Sequence, residues 1–95
     1  MKIGMLGCGN IGTFLLEQLN VVNEGAEKIV AIYSRNYAHT AKIAKKFGAN
    51  SYDTFKNFLT ADLDLVVEVA TIEVIKEFTI PILERKIPLI VSSIG

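Results

Sequence analysis

The sequence is poor in the residues that carry metal-binding, disulfide or nucleic-acid chemistry. Its 95 residues include one cysteine, one histidine and no tryptophan, and ten basic residues balance ten acidic ones. A lone cysteine forms no internal disulfide, and it has no partner at the spacing of a metal site. Without net charge, the chain has no general attraction for nucleic acid or for anionic membranes. These absences exclude disulfide-stapled domains, metal centres and basic nucleic-acid binders.

Long apolar runs are lacking as well, and we expect no leader segment. The uncharged apolar runs fall far short of the ~20 residues that span a bilayer. Met1 leads within two residues into the first predicted strand, so we expect no signal peptide. With only the thiol of Cys8, the chain is predicted to be cytoplasmic. Its 51% hydrophobic and 21% charged residues fit one globular domain.

Glycine, in contrast, occurs at an informative spacing near the start of the chain. Gly7, Gly9 and Gly12 form Gly-x-Gly-x-x-Gly between an apolar segment and a helical pattern, which indicates dinucleotide binding. The first glycine permits a tight turn, the second lets backbone approach a pyrophosphate, and the third lets the helix pack on the strand. We expect the N–H groups of Asn10 and Ile11 to hold the pyrophosphate. The alternatives are a purely structural turn and, for Asn10, a helix cap.

The apolar pattern alternates strand and helix along the whole chain. It predicts five strands, at Lys2–Leu6, Lys28–Ser34, Asn50–Tyr52, Asp64–Ala70 and Pro88–Ser92. It predicts four helices, at Asn10–Val22, Asn36–Phe47, Thr54–Leu59 and Ile72–Arg85, the last bent or broken at Pro81. This alternation predicts an α/β fold, a Rossmann-type doubly wound parallel sheet of five strands in the order 3-2-1-4-5. The cofactor is expected across the carboxyl ends of the strands, between strands one and four.

The spacing of apolar residues also assigns a buried face to each of the first two helices. On the first helix the predicted face consists of Ile11, Phe14, Leu15, Leu19 and Val22. On the second helix it consists of Ala38, Ala41, Ala44 and Phe47.

The residues after the second strand bear on which dinucleotide binds. A site selective for NAD usually has Asp or Glu here to hold the ribose 2′-hydroxyl. This chain has Ser34 and Arg35 instead, and no carboxylate. A hydroxyl and a guanidinium suit a 2′-phosphate, so we predict that NADP is preferred over NAD. The alternative is that Arg35 is a solvated residue at the start of a helix.

Small residues end the fourth and fifth strands. Ala70, Thr71, Ser92 and Ser93 stand where the nicotinamide half of the cofactor is expected. Small side chains let a flat ring and its ribose approach the backbone, so we predict that all four contact the cofactor. Ordinary strand-to-helix turns are the alternative.

Three residues have side chains that can take part in chemistry, and we expect each of them to have a structural role. Glu68 lies within an apolar strand, where we expect local pairing, with a role in the site as the alternative. His39 is expected on the surface, and Cys8 is expected to pack within the glycine turn. We assign no catalytic residue and no metal ligand in the chain.

Several stretches resemble the amino-terminal domain of the L-aspartate dehydrogenase family. They are Lys2–Gly4 with the glycine motif after it, Val66–Thr71, where the family typically has Val-Val-Glu-Ala-Ala-Ser, and Ile87–Gly95. The segment Tyr33–Asn36 is also similar to the glucose–fructose oxidoreductase family, and homoserine dehydrogenases share the general layout. Ser34 departs from the aspartate dehydrogenases, which often carry Asp there.

The resemblance implies that residues 1–95 are the NAD(P)-binding domain of an oxidoreductase whose catalytic domain, with the family's histidine, is absent from this chain. The intact enzyme would oxidise L-aspartate to iminoaspartate and reduce NAD(P). The chain alone, as a truncated product, a split gene product or a small protein, would bind the dinucleotide without turnover. The alternatives are a dehydrogenase of a sugar or related alcohol and a non-catalytic nucleotide-sensing module. The fifth strand, as an open edge, would favour a homodimer.

Overall fold

A five-stranded sheet organises the chain, which a computed structural model describes over residues 1–22, 25, 27–69 and 79–91. The strands are β1 (Lys2–Leu6), β2 (Lys28–Tyr33), β3 (Asn50–Tyr52), β4 (Leu65–Glu68) and β5 (Leu89–Val91). Their order is β3-β2-β1-β4-β5, and each of the four pairings is parallel. This confirms the predicted Rossmann-type fold, with strand ends that differ from the prediction by one or two residues.

The helices follow the predicted alternation. They are α1 (Asn10–Glu17), which continues as a π-helical segment (Gln18–Val22), then α2 (Tyr37–Phe47), α3 (Phe55–Phe58) and α4, described over 79–84. The described part of α4 runs through Pro81 without a break. Within the described ranges, every helix lacks the length or the apolar character that crossing a membrane requires.

The sheet is covered on both faces, which gives the fold two buried clusters. One cluster joins β1 and β2 to α1 and α2, and consists of Ile3, Met5, Leu16, Ile29, Ile32 and Ala44. The other joins β1, β2 and β4 to α3 and α4, and consists of Leu6, Ala31, Phe58, Val66 and Ile82. Helices on both faces explain why the strands read as nearly continuous apolar runs.

The buried faces of α1 and α2 differ from the prediction. Phe14 and Val22 are 59% and 62% exposed, whereas Leu16 is fully buried. Gly12 has to lie against the sheet, and the residues four and seven positions after it then share its face, so Phe14 is turned outward. On α2, Ala38 is exposed and Thr40 is fully buried.

The π-helical segment brings the carboxamide of Asn20 onto neighbouring backbone. Asn20 Nδ2 donates to the carbonyls of Ile29 (2.9 Å) and Phe47 (3.1 Å), and its Oδ1 accepts the Ile29 N–H (2.9 Å). Because β3 pairs with β2 only from Ala31 onward, the side chain takes the place of a strand partner at Ile29. Asn20 thus joins α1, β2 and α2 at the amino-terminal side of the sheet.

Candidate dinucleotide site

The turn after β1 has the backbone that the first glycine of the motif requires. Gly7 has φ = 92°, a conformation that L side chains rarely adopt. Its N–H donates to the Tyr33 carbonyl at 2.8 Å, which joins the carboxyl end of β1 to that of β2. The chain therefore leaves the sheet sharply at the point where strands one and two end side by side.

In the part of the chain that the structure describes, no side chain closes the start of α1. Gly9 is the N-cap residue, the described residues form no side-chain cap hydrogen bond there, and the first turn of α1 holds no acidic residue. The first intrahelical bond runs from the Thr13 N–H to the Gly9 carbonyl at 2.9 Å. Three N–H groups precede that bond, those of Asn10, Ile11 and Gly12. They give this helix end a partial positive charge that attracts an anion.

Space at the two remaining glycines matches their predicted roles. A Cβ on Gly9 would lie more than 4 Å from the heavy atoms of the described residues, which leave the turn open on that side. A Cβ on Gly12 would lie 3.2 Å from Met5 Cε and 3.4 Å from Val69 Cγ2. Gly12 therefore allows close packing of helix on strand, while Gly9 leaves room for a ligand to reach the backbone.

The turn between β2 and α2 is organised by side chains. Asn36 is the N-cap of α2, and its Oδ1 accepts the His39 N–H at 3.2 Å. Ser34 is half-buried, and its Oγ is hydrogen-bonded to Thr40 Oγ1 and lies 3.4 Å from the Asn36 carbonyl oxygen. Arg35 is exposed between them. The hydroxyl and guanidinium that the sequence singles out thus stand at the carboxyl end of β2, beside the glycine turn.

The carboxyl end of β4 adjoins the same turn. Glu68 lies beside Leu6 of β1 and Val91 of β5 in the sheet register, and it is fully buried. It thus lies inside the fold, and the expected local pairing of its carboxylate stays a prediction. The predicted contacts Ala70, Thr71, Ser92 and Ser93 lie outside the described residues.

Cys8 sits inside the glycine turn as a packed thiol. Burial raises its pKa above the ordinary thiol value, and a hydrogen bond with Thr13 acts in the opposite direction. Its side chain packs against the cluster between the sheet and α1 and α2. The thiol therefore stays protonated at neutral pH, which is unlike an activated nucleophile.

Thr40 is the residue at this site that sequence reasoning missed. It lies on the buried face of α2 with Ala44, four residues apart, and it is fully buried. The available signal is a hydroxyl residue among alanines at helical spacing, six positions after Ser34. Apolar spacing alone assigns that face to the alanines and passes over Thr40.

The turn, the uncapped helix and the strand order together form a dinucleotide-binding half domain, and comparison with known proteins agrees. Residues 7–95 match the family described as homoserine dehydrogenase, NAD binding domain. The chain belongs to this family. It is therefore an NAD-binding domain, and the sheet described above is the family's Rossmann core.

One curated relative is an L-aspartate dehydrogenase from Methanocaldococcus jannaschii. It is 32% identical over 95 residues, a match that covers 100% of this chain and 36% of the relative. The chain thus spans about a third of the length of the curated relatives that it matches.

Solved structures share the fold at low sequence identity. Myo-inositol dehydrogenase from Lactobacillus casei, in complex with NAD(H) and myo-inositol, superposes with a TM-score of 0.84 at 18% identity, covering 96% of this chain and 27% of that one. A variant of KijD10, a 3-ketoreductase from Actinomadura kijaniata in complex with TDP-benzene and NADP, gives 0.81 at 20% identity, covering 96% and 29%. Since one of these proteins is bound to NAD(H) and the other to NADP, the fold alone does not set the preference.

Proposed function

We propose that this chain is the NAD(P)-binding domain of an L-aspartate dehydrogenase-like oxidoreductase and that it prefers NADP. The observation that carries the proposal is the open start of α1. Among the described residues, no side chain covers Gly9 or caps the helix end, and the first turn holds no acidic residue. A pyrophosphate supplies the negative charge and the acceptor oxygens that these N–H groups lack.

The proposed cofactor contacts fall into two groups. The pyrophosphate would be held by the backbone around α1, at Gly7, Gly9, Asn10, Ile11 and Gly12. The nicotinamide half would lie near Ala70, Thr71, Ser92 and Ser93. The parallel sheet supports this assignment, because β1 and β4 are neighbours and ligands of such sheets lie outside the carboxyl ends where the strand order reverses.

The preference for NADP is supported by the turn between β2 and α2. Ser34, Arg35 and Asn36 bring a hydroxyl, a guanidinium and an amide, and no carboxylate that would repel a 2′-phosphate. Arg35 can offer two parallel N–H donors to phosphate oxygens. The position of Ser34 at the end of β2 is the one where NAD-selective sites carry an acidic residue.

The aspartate reaction belongs to the longer protein that the relatives represent. In that reaction a hydride leaves the α-carbon of L-aspartate for the nicotinamide ring, and iminoaspartate and NAD(P)H are formed. This domain would orient the ring, while the remaining two thirds of the protein would supply the groups that hold the substrate. The proposal rests on the relationship to the aspartate dehydrogenases.

Calorimetric titration of this chain with NADPH and then with NADH, at one salt concentration, tests the cofactor proposal. We expect both to bind and NADPH to bind more tightly. Ser34→Asp should reverse that order, since it adds a carboxylate beside the 2′ position. Asn50→Asp is a matched control because it adds the same charge to an exposed residue at the amino-terminal start of β3. An unchanged affinity ratio in Ser34→Asp would contradict the proposal.

Whether this domain can serve an aspartate dehydrogenase is tested in a chimera. This chain replaces the matching 95 residues of the Methanocaldococcus jannaschii enzyme, and aspartate-dependent formation of NADPH is followed. We expect turnover with L-aspartate, because the domain would present the nicotinamide ring to the substrate that the rest of the relative holds. A chimera that binds NADPH but shows no aspartate-dependent reduction of NADP would contradict the aspartate assignment of this domain and leave the cofactor assignment standing.

A further inference from the structure

The hydroxyl of Thr40 determines how the hydroxyl of Ser34 can meet a ligand. Thr40 is fully buried beneath the turn between β2 and α2, and its Oγ1 is hydrogen-bonded to Ser34 Oγ. Ser34 is half-buried and stands at the carboxyl end of β2. One hydroxyl of the pair therefore faces the interior, and the other lies at the edge of the proposed cofactor site.

A count of protons assigns the direction of the bond. Each hydroxyl has one proton and can accept with its oxygen. In the part of the chain that the structure describes, the hydrogen-bond partner of Thr40 Oγ1 is Ser34 Oγ. A buried hydroxyl that fails to donate is unfavourable, so Thr40 donates and Ser34 accepts.

The proton of Ser34 is then left for another acceptor. Within the described chain, the nearby acceptor is the Asn36 carbonyl oxygen, 3.4 Å from Ser34 Oγ. That distance is at the long end for an O–H donor, so the bond is weak. The same carbonyl already accepts the Thr40 N–H at 3.0 Å in the first turn of α2.

We propose that Thr40 is a specificity-determining positioning residue that makes Ser34 a hydrogen-bond donor toward the 2′-phosphate of NADP. Phosphate oxygens only accept hydrogen bonds at neutral pH, so a serine that binds them must donate. If Ser34 instead gave its proton to Thr40, it would present only lone pairs, which suit the ribose hydroxyl of NAD. This inference rests on the proposed preference for NADP.

The test compares affinities for NADPH and NADH in matched variants of Thr40. Thr40→Val keeps the shape of the side chain and removes the hydroxyl, whereas Thr40→Ser keeps the hydroxyl. We expect Thr40→Val to weaken NADPH binding by up to about tenfold, because Ser34 loses the donor that fixes its hydroxyl and can turn its proton to the Asn36 carbonyl instead of the phosphate. NADH binding should stay within about twofold, and Thr40→Ser should resemble the unchanged chain.

A double-mutant cycle with Ser34 separates positioning from packing. Thr40 acts through Ser34, so Ser34→Ala combined with Thr40→Val should bind NADPH no more weakly than Ser34→Ala alone. Thermal unfolding followed by circular dichroism checks that each variant is folded. Thr40→Ala, which removes the hydroxyl and favours the helix, takes the place of Thr40→Val if the valine does not fold.

The outcomes distinguish this inference from the function on which it rests. Equal affinities for NADPH and NADH in the unchanged chain would overturn the NADP preference itself. If the unchanged chain prefers NADPH, two results would overturn the role of Thr40. One is an NADPH affinity that Thr40→Val leaves unchanged, and the other is an equal loss of affinity for NADPH and NADH.

Discussion

The helices α1 and α2 both begin at the carboxyl edge of this sheet, and they begin in opposite ways. At the start of α1, Gly9 leaves the helix end without a side-chain cap. At the start of α2, Asn36 closes the helix end through its hydrogen bond to the His39 N–H. The two starts lie at the ends of neighbouring parallel strands, β1 and β2. They belong to the same sheet and differ in whether a side chain accepts an N–H of the first turn.

The difference separates two kinds of recognition. An uncapped helix end offers N–H groups and a dipole to any suitably placed anion. It therefore binds a phosphate without distinguishing the rest of the ligand. In a capped helix end, an N–H of the first turn is already hydrogen-bonded to the capping side chain. Recognition there passes to Ser34 and Arg35, and side chains can distinguish a 2′-hydroxyl from a 2′-phosphate. We infer that α1 gives affinity for dinucleotides in general and the turn before α2 gives preference among them.

The largest effect is expected from Gly9→Asp, which would give α1 a side-chain cap like that of α2. The carboxylate would accept N–H groups of the first turn and raise the free energy of unfolding by about 0.5 kcal/mol. It would also occupy the proposed phosphate position and repel it, lowering affinity for both NADPH and NADH about 100-fold. Calorimetric titration and urea unfolding measure the two effects.

Gly9→Ala is the matched control for this prediction. It adds a Cβ that lies more than 4 Å from the heavy atoms of the described residues, but it brings neither a cap nor a charge. We expect no gain in stability and a smaller loss of affinity, about tenfold. If Gly9→Asp bound both dinucleotides as tightly as the unchanged chain, the start of α1 would not be the phosphate site.

Much of this fold could be predicted because local signals and global topology agree. The predicted bounds of β1 and β3 match the structure, and the strand order follows from the alternation of strand and helix. The faces of the helices could not be predicted as well. Gly12 fixes which side of α1 meets the sheet, and the π-helical segment places Asn20 on Ile29. Both depend on close packing between elements, which apolar spacing does not encode.

The candidate site, like the fold, has one part that the sequence predicts and one part that it does not. Glycine spacing predicts the turn at Gly7 because a positive φ is a property of single residues. The sequence also predicts which residue types follow β2. It does not predict that the hydroxyl of Ser34 is joined to Thr40, because that bond depends on the angle at which α2 leaves the sheet. The preference that we propose between the two cofactors therefore depends on a contact that no residue pattern shows.

The converse change is Asn36→Ala, which removes the side-chain cap of α2. Loss of the hydrogen bond to the His39 N–H should lower the free energy of unfolding by about 1 kcal/mol. Binding of NADH should change by less than about twofold, since the start of α1 is untouched. Asn36→Asp, the control, keeps the cap and the stability but adds a carboxylate near the proposed 2′-phosphate, so it should weaken NADPH selectively. Unchanged unfolding in Asn36→Ala would show that the cap contributes nothing.

The smallest expected effect is on the reactivity of the Cys8 thiol, which lies in the glycine turn yet is not activated. Because burial raises its pKa, the thiolate fraction at a given pH is lower in the folded chain than in the unfolded one. The rate of alkylation by iodoacetamide, measured against pH, should have a higher midpoint in the folded chain than in urea. Thr13→Val removes a hydrogen bond that favours the thiolate, so it should move the folded midpoint higher still. A folded midpoint at or below the unfolded one would mean that the turn activates the thiol, and that the backbone dipole at the start of α1 outweighs burial at Cys8.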